Sequence, residues 1–154
     1  MSKKPIIAFK DFSFKYFSQS EPTLHDINLE IYPGEKIMIA GPSGSGKSTL
    51  GHCLNGLIPF SYKGEINGSL KVKDEETSSQ DIFRLSKTIG TVLQDADGQF
   101  VGLSVGEDIA FSMENDCVAQ SEMKKRVQKV AKMVDMDKWL TSSPYELSGG
   151  QKQR

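Results

Sequence analysis

The chain has 154 residues, of which 37% are hydrophobic and 25% are charged, with 19 lysines and arginines against 20 aspartates and glutamates. This composition is typical of one folded domain and excludes a disordered or fibrous chain. The net charge of −1 gives no general attraction for nucleic acid or for an anionic membrane. We find no signal-peptide core and no run of about 20 apolar residues that could span a bilayer, so we expect a cytoplasmic protein.

The first half of the chain predicts two half-buried strands and then a central strand that leads into a loop and a helix. Apolar and polar residues alternate in the first two strands, at Phe12, Phe14 and Tyr16 and again at Ile27, Leu29 and Ile31. Residues 36–40 are almost wholly apolar and predict a strand that is covered on both faces. A Gly/Ser-rich stretch at residues 41–46 follows, and residues 47–57 predict a helix.

The second half predicts shorter strands and one amphipathic helix. Residues 60–80 are polar and predict short strands followed by a solvated loop. Residues 89–93 predict another strand, which ends in a polar loop at residues 94–99. Ser121 predicts the start of a helix. Its apolar residues recur at helical spacing, at Met123, Val127, Val130, Ala131 and Val134. Since no repeat or linker divides the chain, we expect a single domain over residues 1–154.

The cysteines and histidines carry no predicted function. Cys53 and Cys117 match no metal-binding or redox spacing, so we interpret both as reduced thiols. We interpret His25 and His52 as structural residues, the first at a strand and the second on the predicted helix.

A phosphate-binding pattern lies between the predicted central strand and this helix. The segment from Gly41 to Ser48 reads GPSGSGKS and has every fixed position of the G-x-x-x-x-G-K-[ST] motif. We expect its glycines to let the backbone wrap a phosphate, with N–H groups from Ser43 to Thr49 directed at the anion. Lys47 adds a full charge at the β- and γ-phosphates, and the Ser48 hydroxyl is expected to bind Mg²⁺.

The predicted phosphate contacts come from Gly41, Pro42, Ser43, Gly44, Ser45, Gly46, Lys47, Ser48 and Thr49. A flexible Gly/Ser turn with a solvated lysine is the alternative, and the strand and helix predicted on either side argue against it. A phosphate loop indicates nucleotide binding but does not identify the enzyme class, because many classes use it.

A second motif lies at the other end of the chain. Residues 147–154 read LSGGQKQR. Together with the phosphate loop, this motif makes residues 9–154 resemble the ATP-binding-cassette (ABC) family of transporter ATPases, whose signature is LSGGQ. The resemblance implies an α/β P-loop NTPase fold of the ABC type, with an N-terminal antiparallel β subdomain and a helical signature subdomain at about residues 105–146.

The resemblance also implies a head-to-tail dimer in which the signature faces the ATP of a second subunit. The residues involved are Ser148, Gly149, Gly150 and Gln151. A capped helix after a Gly-Gly turn is the simpler alternative for this segment.

Two further positions agree with the family. Gln94 matches the Q-loop glutamine, which in the family reaches Mg²⁺ and the attacking water and couples the site to the membrane subunits. A simple turn glutamine is the alternative. Tyr16 stands where the family places an aromatic residue that stacks on adenine, but Tyr16 also continues the apolar stripe of Phe12 and Phe14, so a core role is the alternative.

Within the family, residues 92–100 and 105–111 look like those of the energy-coupling-factor ATPases. That group drives uptake of vitamins and of cobalt or nickel, often as paired ATPases with a shared membrane subunit. The sequence is similar to members associated with thiamine or its pyrimidine precursor. No residue here is expected to contact such a substrate, because another subunit selects it.

The family's domain continues beyond the signature. A Walker B strand follows there, with an aspartate that holds Mg²⁺ through water and a glutamate that polarises the attacking water, and a switch histidine lies further on. Residues 1–154 contain no such segment, so we expect an N-terminal portion of a longer ATPase, incomplete at its C-terminus. Alone, it is expected to hydrolyse ATP weakly or not at all, to leave an apolar sheet edge unpaired and to be marginally stable.

The residues alone predict nucleotide binding, with ATP and Mg²⁺ as ligands. The resemblance implies the energy-coupling ATP-binding subunit of an importer, peripheral at the cytoplasmic face of the cell membrane. Its expected partners are a second ABC ATPase and an integral membrane subunit. One alternative is a non-hydrolysing nucleotide-binding module, and another is a soluble ABC protein that acts on DNA or ribosomes. The chain has neither the large insertion nor the basic patch usual in the latter class, so we expect no nucleic-acid partner.

Overall fold

The computed structural model describes residues 4–95 and 97–154. These residues group into two compact units that divide between Thr91 and Val92. The first unit is built on an antiparallel sheet, and the second is helical. The α/β class, the N-terminal antiparallel subdomain and the helical signature subdomain are therefore confirmed.

The sheet of the first unit has four antiparallel strands in the order β2-β1-β3-β4. The strands are β1 (Ile7–Tyr16), β2 (Leu24–Ile31), β3 (Gly64–Val72) and β4 (Glu75–Glu76). Phe14 of β1 lies opposite Leu24 of β2 on one side and opposite Ile66 of β3 on the other. This register places the alternating apolar residues on a common face, so the strands predicted around residues 12–16, 27–31 and 66–72 are confirmed.

The described part of the first unit also contains three α-helices, α1 (Lys47–Leu54), α2 (Leu57–Phe60) and α3 (Ile82–Ser86), and a short 3-10 helix at Thr77–Ser79. Leu50 and Cys53 of α1 are buried in one cluster with the sheet residues Phe9, Phe12 and Phe14. Burial raises the pKa of the Cys53 thiol to about 12, so the thiol stays protonated at neutral pH. The predicted helix over residues 47–57 is shorter than expected because the backbone turns left-handed at Gly56, where φ is 81°.

The second unit contains α4 (Val105–Asn115), α5 (Gln120–Met133) and α6 (Gly149–Lys152). One buried hydrophobic cluster of this unit contains Val105, Ala131, Met136 and Leu147. The amphipathic helix is confirmed, but Ser121 does not cap it, because the backbone already turns at Ala119, whose carbonyl accepts from the amides of residues 122 and 123. Across the described ranges, no helix has the length and apolar character needed to cross a membrane.

Two predicted strands are absent from the structure. Residues 36–40 and 89–93 are irregular, and neither joins a sheet ladder in the described part of the chain. The apolar side chains of Met38 and Val92 are 88% and 77% exposed. The predictions assumed flanking strands, and all four strands of the observed sheet pair only with one another. An apolar run forms a covered strand only where neighbours supply hydrogen-bond partners, so these two predictions were wrong for this structure.

A reciprocal cap begins α4. The Ser104 hydroxyl accepts from the Glu107 amide at 3.3 Å, and Glu107 Oε2 accepts from the Ser104 amide at 3.1 Å. We expect Ser104→Ala to lower the free energy of unfolding by about 1 kcal/mol, because one amide of the first turn loses its acceptor. Denaturant unfolding followed by circular dichroism measures this change. Ser112→Ala, at an exposed position inside α4, is the control and should have almost no effect; equal losses in both variants would contradict the role of the cap.

Candidate nucleotide-binding site

The phosphate loop connects residues 36–40 to the start of α1. Its backbone is left-handed at Gly44 and Gly46, where φ is 80° and 87°. A Cβ atom on Gly46 would lie only 3.0 Å from the Thr23 carbonyl oxygen, so both conformation and space favour glycine there. The loop therefore has the compact, glycine-dependent form that the motif predicts.

The Lys47 ammonium lies over this loop. It donates to the carbonyl oxygens of Gly41 at 2.9 Å and Pro42 at 2.7 Å, and to the Ser45 hydroxyl at 3.4 Å. An ammonium has three donors, and all three are directed at the loop. A positive charge is thus held in the concave part of the phosphate loop by the loop's own oxygen atoms.

The start of α1 is open to an anion. Gly46 occupies the position before the helix and has no side chain that could cap it, so the first N–H groups lack the usual side-chain acceptor. The positive end of the helix dipole lies at the same place. The Ser48 hydroxyl, on the first turn, is exposed to solvent. These features fit a phosphate group, and a free hydroxyl is a ligand type that Mg²⁺ accepts.

Tyr16 lies beside the same helix turn. Its hydroxyl is 3.1 Å from the hydroxyl of Thr49, which is only 7% exposed. The Tyr16 ring meets Phe14 edge to face, with centroids 4.7 Å apart, and meets Tyr62 at 6.4 Å. Tyr16 therefore continues the core stripe, as the alternative interpretation holds, and also contacts the phosphate-loop helix.

Three residues near this site carried no functional signal in the sequence. Tyr62 packs face to face on His52 of α1, with centroids 4.8 Å apart. His25 lines an open groove of about 640 Å³ together with Gly44 and Ser45 of the phosphate loop. Neither histidine belongs to a motif, and Tyr62 lies in an irregular segment, so only the fold reveals these neighbours.

Gln94 lies in the second unit, near its start, and is exposed. It follows an irregular segment rather than the end of a strand. The predicted role of Gln94 stays a prediction.

A short loop at residues 101–104 precedes α4 and is held by two adjacent carboxylates. The amides of its first two residues donate to Asp108 Oδ1 at 2.9 and 3.1 Å, and those of its last two donate to Glu107 Oε2 at 2.9 and 3.1 Å. The side chains of Val101 and Leu103 are 63% and 86% exposed. Four successive amides are thus satisfied by the helix that follows them.

The signature segment forms a second reciprocal cap. The Ser148 hydroxyl accepts from the Gln151 amide at 3.4 Å, and Gln151 Oε1 accepts from the Ser148 amide at 2.9 Å. Positions where a Cβ of Gly149 or Gly150 would lie are open space. The capped-helix interpretation accordingly describes this segment, and contact with a second subunit's nucleotide stays a prediction.

Comparisons with known proteins place these motifs in one family. Residues 24–154 match the ABC transporter family. A Clostridium perfringens protein provisionally named as an ABC transporter ATP-binding protein is 62% identical over 154 residues, which are 100% of this chain and 27% of that protein. A Lactiplantibacillus plantarum protein with the same provisional name is 60% identical over 150 residues, covering 97% of this chain and 26% of that protein.

A solved structure agrees with the sequence relatives. CbiO1 from Clostridium perfringens, described as part of the ABC transporter complex CbiONQ, superposes with a TM-score of 0.85 at 29% identity. The match covers 98% of this chain and 59% of CbiO1. The chain thus spans about a quarter of the length of the curated relatives it matches, and a little over half of this structural neighbour.

Proposed function

Because the chain belongs to the ABC transporter family, we propose that it is the nucleotide-binding portion of an ATPase subunit that energises a membrane importer from the cytoplasmic side. The observation that carries this proposal is the phosphate loop, where the Lys47 ammonium is bound to loop carbonyl oxygens and the helix that follows begins without a side-chain cap. A triphosphate combines the negative charge and the acceptor oxygens that such a site binds.

Lys47 and the first amides of α1 bind the β- and γ-phosphates and stabilise the charge that develops when the terminal phosphoryl group is transferred to water. The Ser48 hydroxyl would hold Mg²⁺, which neutralises charge between these phosphates when it is bound. Tyr16 would provide the surface on which the nucleotide base stacks.

Gln94 and the signature extend the proposal beyond one subunit. Gln94 would orient the attacking water and report the state of the site to a membrane subunit. The segment 148–151 would contact the nucleotide held by a second ATPase, so ATP closes a head-to-tail dimer and its hydrolysis reopens it. The structural neighbour's description as part of a transporter complex supports an assembly of this kind.

The transported solute is proposed only as a class. The similarity of residues 92–100 and 105–111 to energy-coupling-factor ATPases favours import of a vitamin or a metal ion, and CbiO1, which shares the fold, is itself described as part of an ABC transporter complex. Since solute recognition belongs to another subunit, purification of the complex with its membrane subunits and mass spectrometry of the bound solute would identify it.

The proposed role of Gln94 has its own test. Gln94→Ala should leave the affinity for Mg-ATP within about twofold of wild type but lower the rate of phosphate release at least about tenfold, because the attacking water loses its orientation. The measurements are ATP titration and steady-state phosphate release, made on the protein as its own cell produces it, within its membrane complex. Gln128→Ala, at an exposed position on α5, is the control and should change neither quantity. Wild-type release at background with ATP bound would contradict hydrolysis itself.

A further inference from the structure

An aromatic cluster joins the phosphate-loop helix α1 to the end of β1. It consists of Tyr16, Tyr62 and His52, all within the first unit. We propose that Tyr62, stacked on His52, is a positioning residue that holds the Tyr16 ring where it supports the base of a bound nucleotide. This inference rests on the proposed ATP binding and assigns a role to two residues outside every motif in the sequence.

The strand register brings Tyr62 to this place. Tyr16 is the last residue of β1 and pairs with Gly64, the first residue of β3. A Cβ atom on Gly64 would lie 2.2 Å from the Lys15 carbonyl oxygen, so the two backbones approach more closely there than any side chain permits. This close approach sets Tyr62, two residues earlier, beside the Tyr16 ring.

Tyr16 has three supports at the end of its strand. Phe14 lies against it within the core, and the Thr49 hydroxyl lies 3.1 Å from its own hydroxyl. Tyr62 meets it at an interplanar angle of 88°, the edge-to-face geometry that attracts aromatic rings. The next residue, Phe17, is 68% exposed, so the chain beyond Tyr16 adds little burial. Tyr62 is therefore the support outside the core and outside the phosphate-loop helix.

His52 fixes Tyr62 through its ring face. The two rings are nearly parallel, with an interplanar angle of 12° and centroids 4.8 Å apart. His52 Nδ1 is buried and has no hydrogen-bond partner in the part of the chain that the structure describes. Since this nitrogen makes no bond there, stacking on Tyr62 is the specific contact that the structure shows for the imidazole.

Packing in the cluster affects the affinity for ATP because it sets the fraction of molecules in which the Tyr16 ring occupies its binding position. If Tyr16 occupies its site position only part of the time, the apparent dissociation constant rises in inverse proportion to that fraction. Removing Tyr62 takes away one of the three supports of the ring. An aromatic pair of this geometry corresponds to a factor of about 3 to 10 in an equilibrium constant, and we expect the affinity for ATP to fall by that factor.

The test compares a ligand that has a base with one that has none. Titrations of the protein as its own cell produces it would measure the dissociation constants of Mg-ATP and of Mg-tripolyphosphate. Tyr62→Ala should raise the constant for ATP about 3- to 10-fold and leave that for tripolyphosphate unchanged. Tyr62→Phe, which keeps the ring, should restore ATP affinity, and His52→Ala should repeat the Tyr62→Ala pattern with a smaller effect. Phe60→Ala, which removes a 63% exposed aromatic side chain nearby in the chain, is the control and should change neither dissociation constant.

The outcomes distinguish a failure of the role inferred for Tyr62 from a failure of the proposed ATP binding. Unchanged ATP affinity in Tyr62→Ala would overturn the inference, as would parallel losses for both ligands, since the latter indicate general damage to the fold. A wild-type protein that binds neither ligand would overturn the proposed function, and the inference with it. Selective loss for ATP with rescue by phenylalanine establishes the positioning role.

Discussion

Lys47→Ala is expected, in the protein as its own cell produces it, to lower the affinity for Mg-ATP by about 100-fold and to reduce phosphate release to background. The substitution removes a positive charge that lies over the phosphate loop, and hydrogen bonds to charged groups contribute about 1.5–3 kcal/mol each. The removed ammonium also bridges the loop carbonyls, so the loop loses part of its shape as well as its charge. Isothermal titration with Mg-ATP and a phosphate-release assay measure the two effects.

Lys36→Ala is the matched control for this prediction. Lys36 is an exposed lysine a few residues before the loop, and within the described ranges it makes none of the loop contacts of Lys47, so its removal should change the affinity by less than about twofold. Tight ATP binding by Lys47→Ala would contradict the site itself. Equal losses in the two variants would instead point to a general effect of positive charge on this face of the protein.

Phe14→Ala is expected to lower the free energy of unfolding by about 3–5 kcal/mol. Phe14 is fully buried and belongs to the core cluster formed by the sheet and α1. Truncation removes the transfer free energy of the ring and leaves a cavity that neighbouring strands cannot fill. Equilibrium unfolding in urea, followed by circular dichroism, measures the difference.

Phe17→Ala, three residues along the chain, is the control for Phe14→Ala. Its side chain is 68% exposed, so its removal should change the stability by no more than about 0.5 kcal/mol. A loss below about 1 kcal/mol for Phe14→Ala would mean that the sheet and α1 do not share a tightly packed core. Because Tyr16 packs on Phe14, the same variant should also weaken ATP binding.

The alternation of apolar and polar residues along the sequence correctly predicted strands that pair with near neighbours in the chain. The alternation at residues 12–16 and 27–31 is a property of strands with one buried face, and antiparallel pairing with near neighbours in the chain satisfies it. The apolar run at residues 36–40 does not indicate which strands, if any, lie on either side of it. The structure places no strand beside it within the described ranges, and 88% of the Met38 side chain is exposed.

The site could be predicted in part for the same reason. The phosphate loop is a contiguous motif, so the sequence identifies its residues and the backbone conformations that they need. Gly46 has the left-handed conformation that the motif requires. The contact of Tyr62 with Tyr16 depends on the pairing of β1 with β3, which is set by the whole sheet. No spacing rule predicts a partner that tertiary structure alone brings near.

The loop at residues 101–104 has a consequence for what the second unit can bind. Its four amides converge on the carboxylates of Glu107 and Asp108, which is the arrangement by which proteins capture anions, except that here the anion is supplied by the chain itself. A ligand phosphate would have to displace the two carboxylates from the loop amides, so we expect this segment to bind nucleotide phosphates weakly. The segment instead fixes the orientation of the exposed Val101 and Leu103 side chains, because all four amides of its backbone are hydrogen-bonded.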